Sequence, residues 1–346
     1  MTSIRNKAIA GTAALSLLFL GTALASPASA AHVACGATIT QSVTLDSNVG
    51  PCPGDGINIT ASNIVVNLNG FTISGADPRE DSIGIGLDHV TGVYLRGGRV
   101  THFGIGIYIQ GGGSNFVVGM TSDDNLGVQD AGDGIVIDQS NSNGLRNNTV
   151  RNNGPFDGIG VINGASFNRI DRNVIVENNI QTPGGPQQDH GVRIEGPGSN
   201  RNFVTNNRIE DNGLDGVSVF GPQNNQNNVI RGNRIAGNGF HQLEQRRGNG
   251  VLLFAGASTN TLVESNTVVG NAANGIRVES QGNRIFDNEA VDNGSGALVP
   301  GSAFDLLDAN PNCDANIWRG NRYKTASPPC TTIGGTQVVV APSSNA

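Results

Sequence analysis

The sequence predicts an all-β solenoid of about ten stacked coils, each built from three short strands. Three observations predict it. A phrase of Asp or Asn, then Gly, then an alternating apolar pair recurs along the chain. It reads Asp133-Gly134-Ile135-Val136-Ile137, Asp157-Gly158-Ile159-Gly160-Val161, Asp215-Gly216-Val217-Ser218-Val219, Asn249-Gly250-Val251-Leu252-Leu253 and Asn274-Gly275-Ile276-Arg277-Val278. Its intervals of roughly 24 to 34 residues are those of solenoid repeats. Between these phrases runs a second frame of Asn and apolar residues: Asn168, Ile170, Asn173, Ile175, Asn178, and again Asn202, Val204, Asn207, Ile209, Asn212. Third, 50 Gly in 346 residues, with 5% aromatic and 14% charged, suit many tight turns around a core of Ile, Val and Leu.

The elements follow in order. Residues 1–30 read as a secretory signal, with Arg5 and Lys7, an apolar run from Ala8 to Leu24, and small residues Ala28-Ser29-Ala30 before the cut. After it no segment is long and apolar enough to cross a bilayer. The mature chain is therefore expected to be released, extracellular and monomeric. Residues 31–53 are expected as an N-terminal cap, 54–330 as the solenoid and 331–346 as a C-terminal tail. Early coils open at Gly56-Ile57-Asn58-Ile59, Ile83-Gly84-Ile85-Gly86-Leu87 and Ile105-Gly106-Ile107-Tyr108-Ile109. Later coils follow one pattern: a first strand, a polar turn such as Gln139-Ser140-Asn141, then very short strands around Leu145 and Val150. Apolar residues five apart, each after an Asn, make poor helices. They fit strands broken by Asn in left-handed backbone, with the Asn amides stacked from coil to coil.

Four cysteines fit an oxidising compartment and allow three pairings. About ten rungs at ~4.8 Å hold the two ends of a solenoid about 50 Å apart, too far for a disulfide. The expected bridges are Cys35–Cys52 and Cys313–Cys330, each stabilising a cap by ~3 kcal/mol in the chain-entropy model. The net charge is −7, and about −9 without Arg5 and Lys7. With no basic groove of interleaved aromatics, nucleic acid is not an expected partner.

On the repeated Asn-x-Ile-x-x-Asn-x-Ile frame and the opening Asn67-Leu68-Asn69-Gly70, the chain resembles the right-handed parallel β-helix proteins of the pectate-lyase-like superfamily. The likeness covers roughly residues 33 to 330 and is closest to that superfamily's carbohydrate-binding and sugar-hydrolase repeats. It implies a single right-handed parallel β-helix and a carbohydrate role. The partner would be a polysaccharide or cell-wall glycan, cleaved by lysis or hydrolysis, or bound without reaction.

Long inserts are expected at 74–82, 122–132, 179–190, 238–248 and 293–302, on one face of the solenoid. Alternation turns Tyr108, Gln110, Val136, Asp138, Arg193, Glu195, Ser218, Phe220, Leu252, Phe254, Arg277 and Glu279 outward as the floor beside them. Where other coils carry Asp or Asn before Gly, one carries Asp189-His190-Gly191. That places His190 between Asp157 and Asp215, with Asp189 beside it and Arg193 on the same coil. The pairing of His with carboxylates suits proton transfer, and an Arg suits a uronate carboxylate. His190, Asp189, Asp157, Asp215 and Arg193 are thus the expected catalytic set. Glu195, Phe220, Phe254 and Arg277 are the expected substrate-binding set, the two Phe stacking on a sugar ring. Carboxylates two rungs apart suit inverting glycoside hydrolysis, and adjacent ones such as Asp133 and Asp157 suit a retaining nucleophile. Ser122-Asp123-Asp124 is similar to the paired aspartates of polygalacturonase-like hydrolases, without that family's Gly-His-Gly and Arg-Ile-Lys partners. Asp77-Pro78-Arg79-Glu80 is similar to the Asp-Pro-His motif of alginate epimerases, without its His. Acidic and Asn clusters offer oxygen ligands for Ca²⁺, but no EF-hand or nonapeptide calcium repeat is present. No metal or other cofactor is assigned.

Overall fold

Each Asx-Gly phrase opens a strand because the residues after the Gly alternate between the core and the outer face of the sheet. The computed structural model describes residues 29–77, 82–128, 131–180, 189–221, 225–240, 248–297 and 301–339. In it the first strands of successive coils form one parallel sheet of 12 strands, from Ala37–Ile39 to Ala326–Ser327. The second and third strands of the coils form a 22-stranded sheet. Coils stack in register, with one shift between Val49 and Cys52 in the second sheet. Along the first sheet Tyr108 lies opposite Val136, then come Gly160, Arg193, Ser218, Leu252 and Arg277. The inward file of Ile135, Ile159, Val192, Val217, Val251 and Ile276 is buried. A one-residue slip would turn that file to water, so the pattern pins the register.

The turns are held by amide ladders. Asn148, Asn173, Asn207, Asn233, Asn266, Asn288 and Asn321 form one, each backbone N–H donating to the Oδ1 of the next coil's Asn at 2.8 to 2.9 Å or close to it. Asn173 shows why the residue is Asn. Its Nδ2 donates to the Leu145 carbonyl at 2.9 Å and to Asn207 Oδ1 at 3.0 Å, while its Oδ1 accepts from the N–H and Nδ2 of Asn148. Both polar atoms of this buried side chain are satisfied. A parallel ladder runs through Asn125, Asn153, Asn178, Asn212, Asn238, Asn271 and Asn293. The left-handed residue is not the ladder Asn itself but the one before it. It is Asn147 before Asn148, Arg172 before Asn173 and Glu177 before Asn178. The ladder Asn supplies the amide, and its predecessor supplies the corner.

Both expected disulfides are present. Cys35–Cys52 and Cys313–Cys330 each span 17 residues, with Cα–Cα distances of 5.4 and 6.1 Å. The C-terminal end is also plugged by buried Trp318, whose Nε1 donates to Asp308 Oδ2 at 2.7 Å. Strand pairing runs past the expected solenoid limits. Ser29–Ala31 pairs with Val43–Leu45, and Ala37–Ile39 pairs with Ile57–Ile59, so the expected cap is itself coiled. Thr336–Gln337 pairs with Arg322–Tyr323 inside the expected tail. The 12 first strands exceed the ten coils expected, because the terminal coils carry too few Asx-Gly signals to be counted. Most of the expected signal segment, residues 1–28, lies outside the described residues. No helix among the described residues is long and apolar enough to cross a membrane.

Candidate functional site

The Asx residues that open the first strands form a column of their own. The backbone N–H of Asp157 donates to Asp133 Oδ1 at 3.2 Å, and that of His190 to Asp157 Oδ1 at 3.2 Å. The N–H of Asp215 donates to the His190 ring Nδ1 at 3.3 Å, and that of Asn249 to Asp215 Oδ1 at 2.8 Å. Asn274 and Phe304 continue the series. The column is thus a hydrogen-bonded ladder, and His190 Nδ1 stands in for the Asx oxygen of its coil. The Asp215 Oδ2 atom lies 3.3 Å from the same Nδ1.

Beside this column the outer face of the first sheet carries three clefts. The first, of about 380 Å³, is lined by His190, Asp215, Phe220, Asn249, Leu252, Phe254, Arg277 and Glu279, with Ala297, Ser302 and Ala303 from an insert. The Phe220 and Phe254 rings are 4.8 Å apart and tilted by 42°, and both are half-buried. The Phe220 ring also lies 6.4 Å from that of His190. At the rim Arg277 Nε donates to Glu279 Oε1 at 2.6 Å.

The second cleft, of about 410 Å³, is lined by Ile83, Ile105, Tyr108, Ala131, Asp133, Val136, Phe156, Gly160, Ile162 and Arg193. A third continues past Tyr108 to Gly86, Asp88 and Asn58. In the second cleft Arg193 Nε donates to Asp157 Oδ2 at 2.6 Å, and its Nη1 is paired with Glu195. Burial works against this guanidinium, but Asp157 and then Glu195 outweigh it and hold its pKa above the ordinary value. Asp133 is 5% exposed. Burial, and next the Asp157 carboxylate, push its carboxyl up to about 8, against the pull of Arg193. Tyr108 donates its hydroxyl to Asp138 Oδ2 at 2.6 Å, and Asn163 Nδ2 donates to Asp138 Oδ1 at 2.9 Å. Burial and then that hydrogen bond raise the Tyr108 phenol above its ordinary value.

The expected catalytic set therefore does not converge in one groove. His190 and Asp215 edge the first cleft, and Arg193 edges the second. Asp157 and Asp189 are fully buried and line neither. Neighbouring column residues do touch, as their one-rung spacing requires, but their side chains lean along the column rather than into a common opening. Of the expected substrate-binding set, Phe220, Phe254 and Arg277 share the first cleft, whereas Glu195 is committed to Arg193. On sequence alone Tyr108 and Asp138 fall on this face without a role, and Asp133 enters only as a carboxylate adjacent to Asp157. One signal was available: Gly160 is a second Gly within a strand, which marks close approach. A Cβ there would lie 3.4 Å from Asp133 Oδ1.

Asp123 and Asp124 sit on the other sheet. Arg99 Nε donates to Asp123 Oδ1 at 2.7 Å and Arg151 approaches its second oxygen at 3.3 Å, so buried Asp123 is an ion-pair anchor away from the clefts. In the Asp77-Pro78-Arg79-Glu80 segment, residues 78–80 lie outside the described residues. So do 129–130, 181–188, 241–247 and 298–300 of the expected inserts. Among the described residues no cluster of three or more His, Cys, Asp or Glu is placed to hold a metal ion.

Comparison with known proteins agrees with this architecture. Solved structures similar in fold include the periplasmic alginate epimerase AlgG, with TM-score 0.55 and 18% identity over 78% of this chain and 71% of that one. DFA-IIIase from Arthrobacter chlorophenolicus A6, solved with DFA-III, has TM-score 0.54 and 14% identity over 78% and 70%. The Dettilon tailspike protein has TM-score 0.52 and 15% identity, and the match covers 84% of this chain but 54% of the tailspike. At such identities the likeness is one of fold. No curated protein matches the sequence. The model described as "Right handed beta helix region" matches residues 30–194, 156–294 and 186–337. These matches span most of the sequence, and the chain belongs to the right-handed β-helix family.

Proposed function

We propose that the protein is a secreted, monomeric, polysaccharide-directed β-helix that holds an extracellular glycan along the outer face of its first sheet and cleaves it there. The observation that carries this reading is the Phe220–Phe254 pair in the first cleft. Two half-exposed rings side by side, with polar Arg277 and Glu279 at the rim, suit the apolar face of a sugar ring and its hydroxyl edge. The other two clefts extend this surface along the helix axis, which suits a polymer rather than a single small molecule. The two disulfides fit an extracytoplasmic protein, and the leader adds secretion. The similar structures include an epimerase of alginate, by its name, and a protein solved with DFA-III. In this reading His190 and Asp215 form the polar wall of the aromatic cleft, and Asp157 and Arg193 hold the second cleft in shape. Asp189 supports the coil from inside.

Of the two modes of cleavage, hydrolysis is favoured over lysis. Lysis of a uronate needs a cation free to neutralise the substrate carboxylate. Arg193 already serves two carboxylates of the protein. A second reading, glycan binding without cleavage, is favoured by one observation: the His190 Nδ1 atom is used as a backbone acceptor.

The test is a panel of neutral and uronate polysaccharides, run for binding by affinity electrophoresis and for cleavage by reducing ends and by absorbance of unsaturated products. Binding to at least one glycan, weakened in the Phe220→Ala Phe254→Ala double variant, is expected. Absence of binding across the panel, or binding indifferent to both Phe, would sink the proposal. Binding without either product would leave the scaffold reading.

A further inference from the structure

The second cleft differs from the first in chemistry. Its walls are apolar, from Ile83, Ile105, Val136, Phe156 and Ile162. One carboxyl group, Asp133, opens into it at the edge of the floor, where Gly160 leaves the space a side chain would fill. The charged groups facing Asp133 come from three neighbouring coils. Asp157 lies on the next coil, Arg193 on the one after, and Tyr108 on the one before. Arg193 bonds Asp157 and Glu195, and no salt bridge reaches Asp133 among the described residues. Asp157, Arg193 and Glu195 together leave one net negative charge. Asp138, at the far end of the same strand as Asp133, adds a second.

Resting on the glycan reading above, we propose that the second cleft is the cleavage centre, that Asp133 is its proton donor, and that its substrate is a glycan without charge. A site with net negative charge and no free cation repels polyuronates and accepts neutral sugars. In the step, the Asp133 carboxyl gives its proton to the glycosidic oxygen as the bond from that oxygen to the anomeric carbon breaks. The bonding electron pair leaves with the oxygen. A water molecule adds to the anomeric carbon and gives up one proton to solvent, and solvent returns a proton to Asp133. The acid must be protonated when substrate arrives, and the burial that Asp133 shares with the Asp157 carboxylate keeps it so at neutral pH.

Asp133→Asn is the decisive variant because the fold already uses Asn at this place. Asn249 and Asn274 hold the same ladder position, their Oδ1 atoms accepting the next coil's N–H. The variant keeps that hydrogen bond and removes only the proton. The full chain, wild type and Asp133→Asn, is assayed on neutral glycans (β-glucan, xylan, mannan and fructan) and on pectate and alginate. Reducing ends, glycan affinity and thermal midpoint are read together. The expected result is cleavage of a neutral glycan, lost by about 100-fold or more in Asp133→Asn, with affinity kept and the midpoint not lowered. The wild-type rate should fall on the alkaline side near pH 8. Three results would overturn the proposal while leaving glycan binding intact: cleavage unchanged in Asp133→Asn, cleavage of pectate or alginate in preference to neutral glycans, or binding without cleavage of any glycan. A chain that binds no glycan at all refutes the function proposed above and this inference with it.

Discussion

Two kinds of hydrogen-bonded column run through this molecule with nearly the same residue types, and they work differently. The turn ladders are amide throughout, from Asn148 to Asn321. Their N–H groups donate forward, to the Asn of the following coil. The column before the first sheet donates backward, to the preceding coil, and changes chemistry along its length. It is carboxylate at Asp133 and Asp157, imidazole at His190, carboxylate at Asp215, and amide at Asn249 and Asn274. An amide both gives and accepts, so a buried Asn ladder is complete in itself. A buried carboxylate only accepts, and its charge needs a partner or a proton. Asp157 has Arg193 as its partner, whereas burial, with no ion pair of its own among the described residues, pushes the Asp133 carboxyl up. Amide would have sufficed for the fold at both positions, as Asn249 and Asn274 demonstrate. The charged stretch of the column is therefore the part whose chemistry the fold does not demand, and it borders the clefts.

The comparison can be broken most forcefully at the amide ladder. Asn173→Ala removes the side-chain donor to the Leu145 carbonyl, the acceptor of the Asn148 N–H and one of the two acceptors of Asn148 Nδ2, and a loss of about 4 kcal/mol is expected. Denaturant unfolding measures it, and a loss below ~1 kcal/mol would mean the ladder is not what holds the turns.

Next in size is the pH dependence that Asp133 imposes. Its carboxyl holds a proton in the fold up to about 8, whereas in the unfolded chain it releases it near pH 4. The folded state thus binds the extra proton between those values. The associated stability is fully present below about pH 4 and is lost as pH rises through about 8, by an amount on the order of a few kcal/mol. Asp133→Asn should remove this slope, so the gap between variant and wild type shifts in favour of the variant as pH rises. Parallel curves from pH 4 to 9 would contradict a proton on Asp133.

A smaller effect separates the two readings of His190. His190→Ala removes the acceptor for the Asp215 N–H and should cost about 1 to 2 kcal/mol. His190→Asn restores an Asx oxygen at that position and should recover most of the loss. If His190→Asn is stable yet inactive on a glycan that wild type cleaves, the ring has chemistry beyond its place in the column. Smallest is the aromatic cleft. Replacing Phe220 or Phe254 singly by Ala should weaken glycan affinity about tenfold, or ~1.4 kcal/mol, with the loss read by titration calorimetry.

Much of this was legible in the residues. Ile170 and Ile175, five apart and each after an Asn, gave the coil, and the Asn frame gave the ladders. The distance between the two ends gave the pairing of Cys35 with Cys52. The outward floor from Tyr108 to Glu279 followed from alternation alone. What was not legible was where the left-handed corner falls, because Arg172 and Glu177 adopt it without any compositional mark. Whether the His190 cluster opens into one groove was not legible either. Column position gives a spacing of one rung, but not whether a side chain leans along the column or into a cleft.

The sequence by itself determined that this chain is a solenoid, which residues face inward, and that the column before the first sheet departs from amide at Asp133, Asp157, His190 and Asp215. Those are local and periodic properties, set by strand alternation and by the acceptor each coil offers its neighbour. Only the tertiary structure decided that the column's side chains divide between two clefts, that Arg193 is neutralised by Asp157 and Glu195, and that burial and the Asp157 carboxylate push the Asp133 carboxyl up. The reason is physical. Burial and charge at one atom are sums over groups from several coils, brought together from positions 24 to 36 residues apart, and no single repeat contains the sum.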